Sequence, residues 1–280
     1  MIQTELENQK ITITNDDVSV IVFRCENSNI EILEKTSIEW VLDSVNKFKT
    51  QIVDFDANAD EYSQIKNNLP TSKYTIVLYS FNPLLTSQNI DLCLDYLVLK
   101  KMKLIKLKYG YMFETEYFKQ LPVVKEPAIF TGDGSEFLQI ISNEDFSYAT
   151  EVLQRRIVKY FMDNGVEFIN PSNTVVNAYV QIENGVTIFP FNNLCGATVV
   201  KSDAVLKEGN TIIDTVVGEE SVVANSTIKN TNIKDHVVIF PYNTIDNCYI
   251  GSYSTIKSYN KISNTKIEEN TEIESFNEIG

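Results

Sequence analysis

The C-terminal half of the chain is defined by the repeat in Leu206-Lys-Glu-Gly-Asn-Thr-Ile-Ile-Asp-Thr-Val-Val-Gly-Glu-Glu-Ser-Val-Val-Ala-Asn-Ser-Thr-Ile-Lys-Asn-Thr-Asn-Ile233, where an aliphatic residue returns every five or six positions. A helix repeats about every 3.6 residues and a strand about every two, so neither gives this step. A triangular solenoid does, because each hexad forms one short strand and one corner, and three hexads close a coil. The stretch therefore predicts a parallel β-helix.

The same step continues on both sides of this stretch and predicts about six coils. The aliphatic positions are Val176, Ile182, Ile188, Leu194, Val200, Leu206, Ile212, Val217, Val223, Ile228, Ile233, Ile239, Ile245, Ile250, Ile256, Ile262, Ile267, Ile273 and Ile279. In front of the repeat, residues 144–164 show apolar positions at helical spacing, and Gly165 is a typical helix stop.

The N-terminal half has a different pattern, in which buried strands alternate with amphipathic helices. Strands are predicted at Val18–Phe23 and Tyr74–Tyr79, and helices at Ile38–Phe48 and Asn89–Leu99. Alternation of this kind is typical of a parallel sheet covered by helices. We therefore divide the chain into an α/β domain (residues 1–143), a linker helix and entry (144–170) and a β-helix (171–280).

Composition limits the partners and the compartment of the protein. The formal net charge of −14 argues against nucleic acid or an anionic membrane as a general partner, because phosphate binding needs clustered Lys and Arg. The acidic, polar start Met1–Glu7 carries no targeting signal, and no apolar run is long enough to insert in a membrane, so a cytoplasmic location is expected. The four cysteines are far apart and are interpreted as buried apolar residues, and the single His236 excludes any two-histidine site.

The only basic cluster, Lys100–Lys108, allows two interpretations. Its lysines are typical of a helix C-terminus followed by a strand whose solvent-facing side carries lysines. Charged side chains there also discourage edge pairing. Alternatively, they form a site for a substrate phosphate.

Four segments resemble the bifunctional N-acetylglucosamine-1-phosphate uridylyltransferase/glucosamine-1-phosphate acetyltransferase family. They are the hexad stretch quoted above, Tyr148–Ile157 (similar to the linker helix of the family), Gly165–Pro171 (its entry into the β-helix) and Leu78-Tyr-Ser-Phe-Asn-Pro-Leu-Leu85. The resemblance implies a reduced nucleotidyltransferase-like α/β domain with a mostly parallel sheet, followed by a left-handed parallel β-helix of hexapeptide repeats. It also implies a homotrimer formed through the β-helix and a sugar nucleotide as ligand.

The chain departs from the family at the uridylyl-transfer site. The family has a Mg²⁺-binding Asp where this chain has Phe81, which is followed by Asn82, and its second metal ligand corresponds to Asn143. The Gly-rich nucleotide loop of the family should follow the first strand, but the first glycine of this chain is Gly110. We therefore expect no metal to be held here.

The acetyl-transfer site departs in the same way. Asp246 stands where the family has Arg, Ser275 where it has the His base, and Glu278 where it has Tyr, whereas a lysine persists as Lys257. Two added carboxylates would repel an anionic sugar phosphate. Mg²⁺ and acetyl-CoA are therefore implied as cofactors only if the activities of the family persist.

Three functions stay open from the sequence. The first is a catalytically degenerate family member with an assembly, regulatory or sensing role linked to UDP-N-acetylglucosamine or cell-envelope metabolism. The second is an active acyltransferase using His236 or Lys257 with acetyl-CoA, in which Asp235 would have to orient the histidine. The third is a nucleotidyltransferase whose metal site is rebuilt from other carboxylates, such as Asp54 or Asp56. The simpler interpretation of His236 is an exposed corner of the β-helix. The simpler interpretation of the two aspartates is a solvated loop after a strand.

Overall fold

The computed structural model describes residues 13–122, 128–129 and 136–280, with only the backbone described at 128–129. The N-terminal stretch examined for a targeting signal lies outside these ranges. The chain divides into two compact units, residues 1–149 and residues 150–280. No helix in the described ranges combines the length and the apolar character needed to cross a membrane.

Unit 1 is built on a six-stranded sheet and a separate antiparallel pair of strands. The strands are β1 (Val18–Arg24), β2 (Glu31–Ile32), β3 (Lys35–Thr36), β4 (Lys49–Asp54), β5 (Tyr74–Tyr79), β6 (Leu104–Lys106), β7 (Tyr111–Glu114) and β8 (Ala128–Ile129). The order in the sheet is β4-β1-β5-β7-β6-β8, and β2 pairs with β3. β1 runs parallel to β4 and β5, β6 runs parallel to β8, and β7 is antiparallel to both its neighbours. The predicted α/β domain with a mostly parallel sheet is confirmed.

The first three helices are capped at their N-termini by the side chains of Thr36, Asp60 and Thr86. The helices are α1 (Ser37–Ser44), α2 (Glu61–Asn67), α3 (Ser87–Leu99), α4 (Thr115–Gln120) and α5 (Asn143–Asp163), with 3₁₀ turns at Asn15–Asp17, Glu26–Asn29 and Pro171–Asn173. Thr36 and Glu39 form a capping box on α1. The helix predicted to reach Phe48 ends at Ser44, because Val45 leaves helical geometry and its carbonyl accepts a turn hydrogen bond from Phe48 N at 2.9 Å.

Each face of the sheet in unit 1 has its own apolar core. Val20 and Val22 of β1 pack with α1 and α3 on one face. Ile21 and Phe23 point to the opposite face, where they pack with α2 and α4. Burial on both faces explains why β1 and β5 are continuous apolar runs instead of alternating strands.

Unit 2 consists of three parallel sheets of seven, six and seven short strands. The strands are β9 (Glu167–Phe168), β10 (Val175–Val176), β11 (Gln181–Ile182), β12 (Thr187–Ile188), β13 (Asn193–Cys195), β14 (Val199–Val200), β15 (Val205–Leu206), β16 (Thr211–Ile213), β17 (Val216–Val217), β18 (Val222–Val223), β19 (Thr227–Lys229), β20 (Asn232–Ile233), β21 (Val238–Ile239), β22 (Thr244–Asp246), β23 (Tyr249–Ile250), β24 (Thr255–Ile256), β25 (Lys261–Ser263), β26 (Lys266–Ile267), β27 (Glu272–Ile273) and β28 (Glu278–Ile279). Each strand pairs with the third one along the chain, so the predicted hexapeptide-repeat β-helix is confirmed.

The interior of the β-helix is a column of the predicted aliphatic residues, almost all of them fully buried. Buried asparagines extend this column at one corner, a feature that the sequence interpretation missed. Asn210 Nδ2 donates to Asn192 Oδ1 at 2.9 Å, and Asn260 N donates to Asn243 Oδ1 at 2.8 Å, so the amides bind successive coils together.

Among the cysteines, Cys93 and Cys248 are buried as predicted, whereas Cys25 and Cys195 are half-buried.

Many corners place a residue in the left-handed region of backbone space. The φ angle is positive at Phe191, Asp203, Asp214, Glu220, Asn225, Asn230, His236, Tyr242, Asn247, Tyr253, Tyr259, Asn264, Asn270 and Phe276. Tyr242, Tyr259 and Phe276 stack from coil to coil, with ring centroids 4.9 Å apart for Tyr242 and Tyr259 and 5.1 Å apart for Tyr259 and Phe276. Asparagine and aspartate tolerate this backbone conformation best, and ring stacking offsets part of its cost at the aromatic corners.

Candidate functional site at the carboxyl edge of the sheet

The carboxyl ends of β1 and β5 lie side by side, where ligands collect in parallel α/β sheets. Ser80, directly after β5, is fully buried and joins three segments there. Its Oγ accepts a hydrogen bond from Cys25 N at 2.9 Å, and its carbonyl accepts one from Ser37 Oγ at 2.6 Å. Ser80 N donates to Phe23 O at 2.9 Å. The loop that follows β1 is thus fixed against the end of β5.

Phe81 fills the position at which the resemblance places a metal-binding carboxylate. Its ring stacks on Tyr79, with centroids 5.2 Å apart and an interplanar angle of 16°, and meets Tyr109 edge-on at 5.3 Å. These rings belong to the same apolar cluster as Phe23 and Phe55. The end of β5 therefore presents packed aromatic carbon where an ion would need oxygen ligands.

Asn82 and Asn27 connect the strand ends to the segment in front of α5. Asn82 is fully buried, and its Nδ2 donates to Leu138 O at 3.2 Å, whereas its Oδ1 has no partner within the described residues. Asn27 Nδ2 donates to Ile140 O at 3.5 Å. Asn143, three residues further on, is the first residue of α5 and is exposed. The structure thus brings the segment that leads to Asn143 to the carboxyl edge.

Glu61, at the start of α2, was missed by the sequence interpretation. Its carboxylate accepts hydrogen bonds from the hydroxyl of Tyr79 and from that of Tyr111, the latter at 3.2 Å. Burial, followed by the hydrogen bond to Glu61, raises the pKa of Tyr79 far above its usual range, so the phenol stays a donor at every physiological pH. The residues lie far apart in the chain, so no local pattern could have identified this contact.

The carboxylates considered as a rebuilt metal site do not converge. Asp54 ends β4, is exposed, and pairs with Arg24 at 3.2 Å. Asp56 Oδ1 accepts a turn hydrogen bond from Asn58 N at 2.9 Å. Across the described ranges, no three His, Cys, Asp or Glu side chains lie close enough together to hold a metal ion. The side chains at this edge of the sheet therefore do not fit Mg²⁺.

The basic cluster lies on and around β6. Ile105 is buried between neighbouring strands, while Lys103 is largely exposed and pairs with Glu114 at 3.7 Å. The ammonium groups of Lys106 and Lys108 lie 6.0 and 5.7 Å from the ring centroids of Tyr111 and Tyr109. The lysines are thus spread over aromatic surface and do not converge on one point.

The residues considered for acetyl transfer lie on the outer surface of the β-helix. The ammonium of Lys257 is 2.7 Å from both Glu272 and Glu274, and these hydrogen bonds raise its pKa. Glu278 pairs with Lys261 at 2.6 Å, and this contact lowers the pKa of Glu278.

The two remaining positions considered for acetyl transfer carry a carboxylate and a hydroxyl. Asp246 accepts a hydrogen bond from Asn230 Nδ2 at 3.1 Å and is exposed. Ser275 is half-buried, next to the exposed Phe276. Because Lys257 is held by two carboxylates, its amine is a protonated ion-pair partner and not a free base.

His236 occupies a corner of the β-helix, with a φ of 58°. Its ring stacks on Tyr253 at a centroid distance of 4.7 Å, and its Nδ1 lies 3.4 Å from Glu220 Oε2 of the preceding coil. Asp235, the neighbour considered as an orienting partner, accepts a hydrogen bond from Glu219 N at 2.9 Å. The partner of His236 thus lies one coil away, in register, and not next to it in the sequence.

Comparison with curated proteins finds relatives that carry the name Bifunctional protein GlmU. The chain is 34% identical over 110 residues to the Bifunctional protein GlmU of Streptococcus gordonii, which covers 39% of this chain and 24% of that protein. It is 39% identical over 94 residues to the Listeria innocua protein of the same name, covering 34% of this chain and 21% of that protein. It is 30% identical over 156 residues to the Alkaliphilus metalliredigens protein of that name, covering 54% of this chain and 34% of that protein.

The chain thus spans about a quarter of the length of the first of these curated relatives. No family model matches it. Among solved structures, a 4-diphosphocytidyl-2C-methyl-D-erythritolsynthase from Anaerococcus prevotii aligns with 51% of this chain and 100% of its own, at 12% identity and a TM-score of 0.41. The acetyltransferase domain of PglB from Neisseria gonorrhoeae aligns with 92% of this chain and 91% of its own, at 9% identity and a TM-score of 0.28.

At these TM-scores neither solved structure establishes a shared fold. The three sequence relatives named above, in contrast, carry the name of the bifunctional protein, and the β-helix of unit 2 is the fold that the hexapeptide repeat predicts. The resemblance of this chain to the bifunctional uridylyltransferase/acetyltransferase family is therefore confirmed over the matched segment.

Proposed function

We propose that this protein is a relative of sugar-nucleotide transferases in which both transfer sites have degenerated, and that it acts in the cytoplasm. Its role is assembly, regulation or sensing linked to UDP-N-acetylglucosamine or cell-envelope metabolism. The observation that supports this proposal is the packing of Phe81 between the rings of Tyr79 and Tyr109 at the end of β5.

Uridylyl transfer depends on positioned positive charge, because negative charge on the phosphates must be neutralised in the transition state. Phe81 offers no ligand for a cation, and the loop Cys25–Ile30 contains no glycine that would let phosphate approach its backbone. This loop forms a 3₁₀ turn that begins with Glu26, whose carboxylate adds a charge of the wrong sign. Three properties of the edge thus oppose binding of a nucleoside triphosphate.

The acetyl-transfer positions support the same conclusion. Glu278 and Asp246 place carboxylates where an anionic sugar phosphate would have to bind, and Lys257 is already neutralised by Glu272 and Glu274. One observation favours the alternative of an active acyltransferase using acetyl-CoA: Glu220 lies close enough to orient His236. Measurements of ligand binding distinguish the degenerate protein from an active acyltransferase.

Thermal unfolding measured with and without ligands tests the proposal. Any ligand that binds the folded state stabilises it by RT ln(1 + [L]/Kd). We expect UTP with Mg²⁺ to give no metal-dependent shift and a coupled assay to detect no release of pyrophosphate. Phe81→Asp alone should restore neither, because the glycine-free loop remains. A metal-dependent shift of the melting temperature with UTP would contradict the loss of the uridylyl-transfer site. Stabilisation by acetyl-CoA that is lost in His236→Ala would favour the acyltransferase.

The proposal includes a homotrimer formed through the β-helix. The sheet that contains β15, β18 and β21 directs Val205, Val222 and Val238 outward in register, next to Phe240, which is 45% exposed. Such an apolar stripe is suited to a subunit contact. We expect Val222→Glu to lower the mass measured by sedimentation threefold. Thr227→Glu, at an outward position of another sheet, serves as the matched control, and an equal response of both variants would argue against this stripe.

A further inference from the structure

Strand β4 leaves one edge of the sheet in unit 1 open. It pairs with β1 on one side only, and no other described strand lies beyond it. Phe55 N donates to Arg24 O at 3.0 Å, which shows that the odd-numbered residues of this strand direct their backbone groups toward β1. Because backbone direction alternates along a strand, Thr50, Ile52 and Asp54 direct their N–H and C=O groups to the open side.

This edge has neither a bulge nor a proline, two features that protect open strands against pairing. Its register with β1 is continuous from Lys49 to Asp54, without a bulge, and it contains no proline. Ile52, at its centre, is 42% exposed although it is apolar. An open strand of this kind is a template for a further strand.

The charges along β4 determine which strand fits. Its first residue is the exposed Lys49, whereas Asp54 and Asp56 lie at its end, with the side chain of Asp54 83% exposed. A parallel copy in register would place Lys49 beside Lys49 and Asp54 beside Asp54, whereas an antiparallel copy keeps these like charges apart at opposite ends of the pair. We propose that two copies of this protein pair antiparallel through β4 and form one continuous sheet about a two-fold axis.

Backbone direction and the extent of β4 together fix the register. Residues whose backbone groups face the open side must lie opposite each other, so an axis at Ile52 places each Thr50 opposite Asp54 of the second copy and lets all three outward residues bond. The two Ile52 side chains then cover each other. An axis at Gln51 would instead place Asp54 opposite Phe48, beyond the start of the strand.

Disulfide cross-linking tests this register. Opposite residues of a hydrogen-bonded pair have Cα atoms about 5.5 Å apart, within the range that a disulfide spans. We expect Ile52→Cys to give a dimer on a non-reducing gel and Gln51→Cys to give none, with the wild-type protein and its four cysteines as background. A dimer from Gln51→Cys in place of Ile52→Cys would overturn the pairing centred on Ile52.

Sedimentation tests the contact without cross-linking. Ile52→Lys places two ammonium groups on the axis, and we expect the mass to fall by a factor of two while the melting temperature stays unchanged. Leu92→Lys, on α3, is the matched control because Leu92 is 41% exposed, and it should leave the mass unchanged. A wild-type mass that Ile52→Lys does not change overturns the proposal. The factor of two distinguishes this contact from the β-helix trimer, whose disruption changes the mass threefold.

Discussion

Gly110→Ala is expected to destabilise unit 1 by about 4 kcal/mol, through backbone strain and overlap together. Gly110 turns the chain between β6 and β7 with a φ of 117°, a conformation that side chains rarely adopt. A Cβ atom at this position would also lie 2.2 Å from Val77 O, in the backbone of the central strand β5. Neither atom can move without distorting the sheet, so the cost is a large part of the stability of an ordinary domain.

Trp40 provides a selective measurement of this effect. It is the only tryptophan of the chain, lies on α1, and donates its indole N–H to Ile32 O at 3.1 Å, so its fluorescence reports on unit 1. The urea midpoint followed at Trp40 should fall strongly in Gly110→Ala. Gly165→Ala is the control, because φ there is 87° but the nearest atom to the added Cβ is 3.5 Å away.

The control variant Gly165→Ala should lower the free energy of unfolding only through its backbone conformation, by about 1–2 kcal/mol. Its unfolding is measured by circular dichroism, because Gly165 lies just after α5, in unit 2. Equal losses in the two variants would mean that the overlap with β5 is relieved by relaxation.

Asn210→Ala is expected to destabilise the β-helix by about 3 kcal/mol, since it leaves several buried polar groups unpaired. Asn210 is fully buried, and its Nδ2 donates to Lys207 O at 2.7 Å and to Asn192 Oδ1 at 2.9 Å. Its Oδ1 accepts a hydrogen bond from Ser226 N in the next coil at 3.0 Å. Removing the amide therefore breaks contacts to the coils on both sides.

Asn247→Gly is the matched control for this prediction. Asn247 is exposed at a corner with a φ of 52°, and its Nδ2 donates only to the exposed Asn264 at 2.9 Å. Glycine adopts this backbone conformation without strain, so the variant should unfold within about 0.5 kcal/mol of the wild type. Denaturation followed by circular dichroism compares the two variants, and a small loss in Asn210→Ala would show that water replaces the buried amide.

Local patterns predicted the elements whose period is long and regular. The hexad step identified the interior positions of the β-helix from Val176 to Ile279, and the strand Tyr74–Tyr79 was predicted with its observed bounds. The predicted boundary differs from the observed one where a turn competes with a helix, as at Val45. The buried asparagine corner was missed, because asparagine at such positions is also the common residue of an exposed turn.

The candidate site shows the same division. The expectation that Phe81 stands where the family has a metal-binding Asp follows from the sequence once the resemblance is recognised. The stacking of Phe81 on Tyr79 and Tyr109 does not, and neither does the contact of Glu61 with two phenols, because these residues are brought together by separate strands and helices.

The sequence by itself therefore determined the class of both halves and the residue types that stand at the positions matched to the family, since periodicity and residue identity are properties of the chain. Only the tertiary structure decided which side chains pair with which. Glu220 meets His236 across one coil, and Ile52 lies in the middle of an open strand edge. The physical reason is that such contacts depend on register and sheet order, which are set by burial of the whole core and not by neighbouring residues.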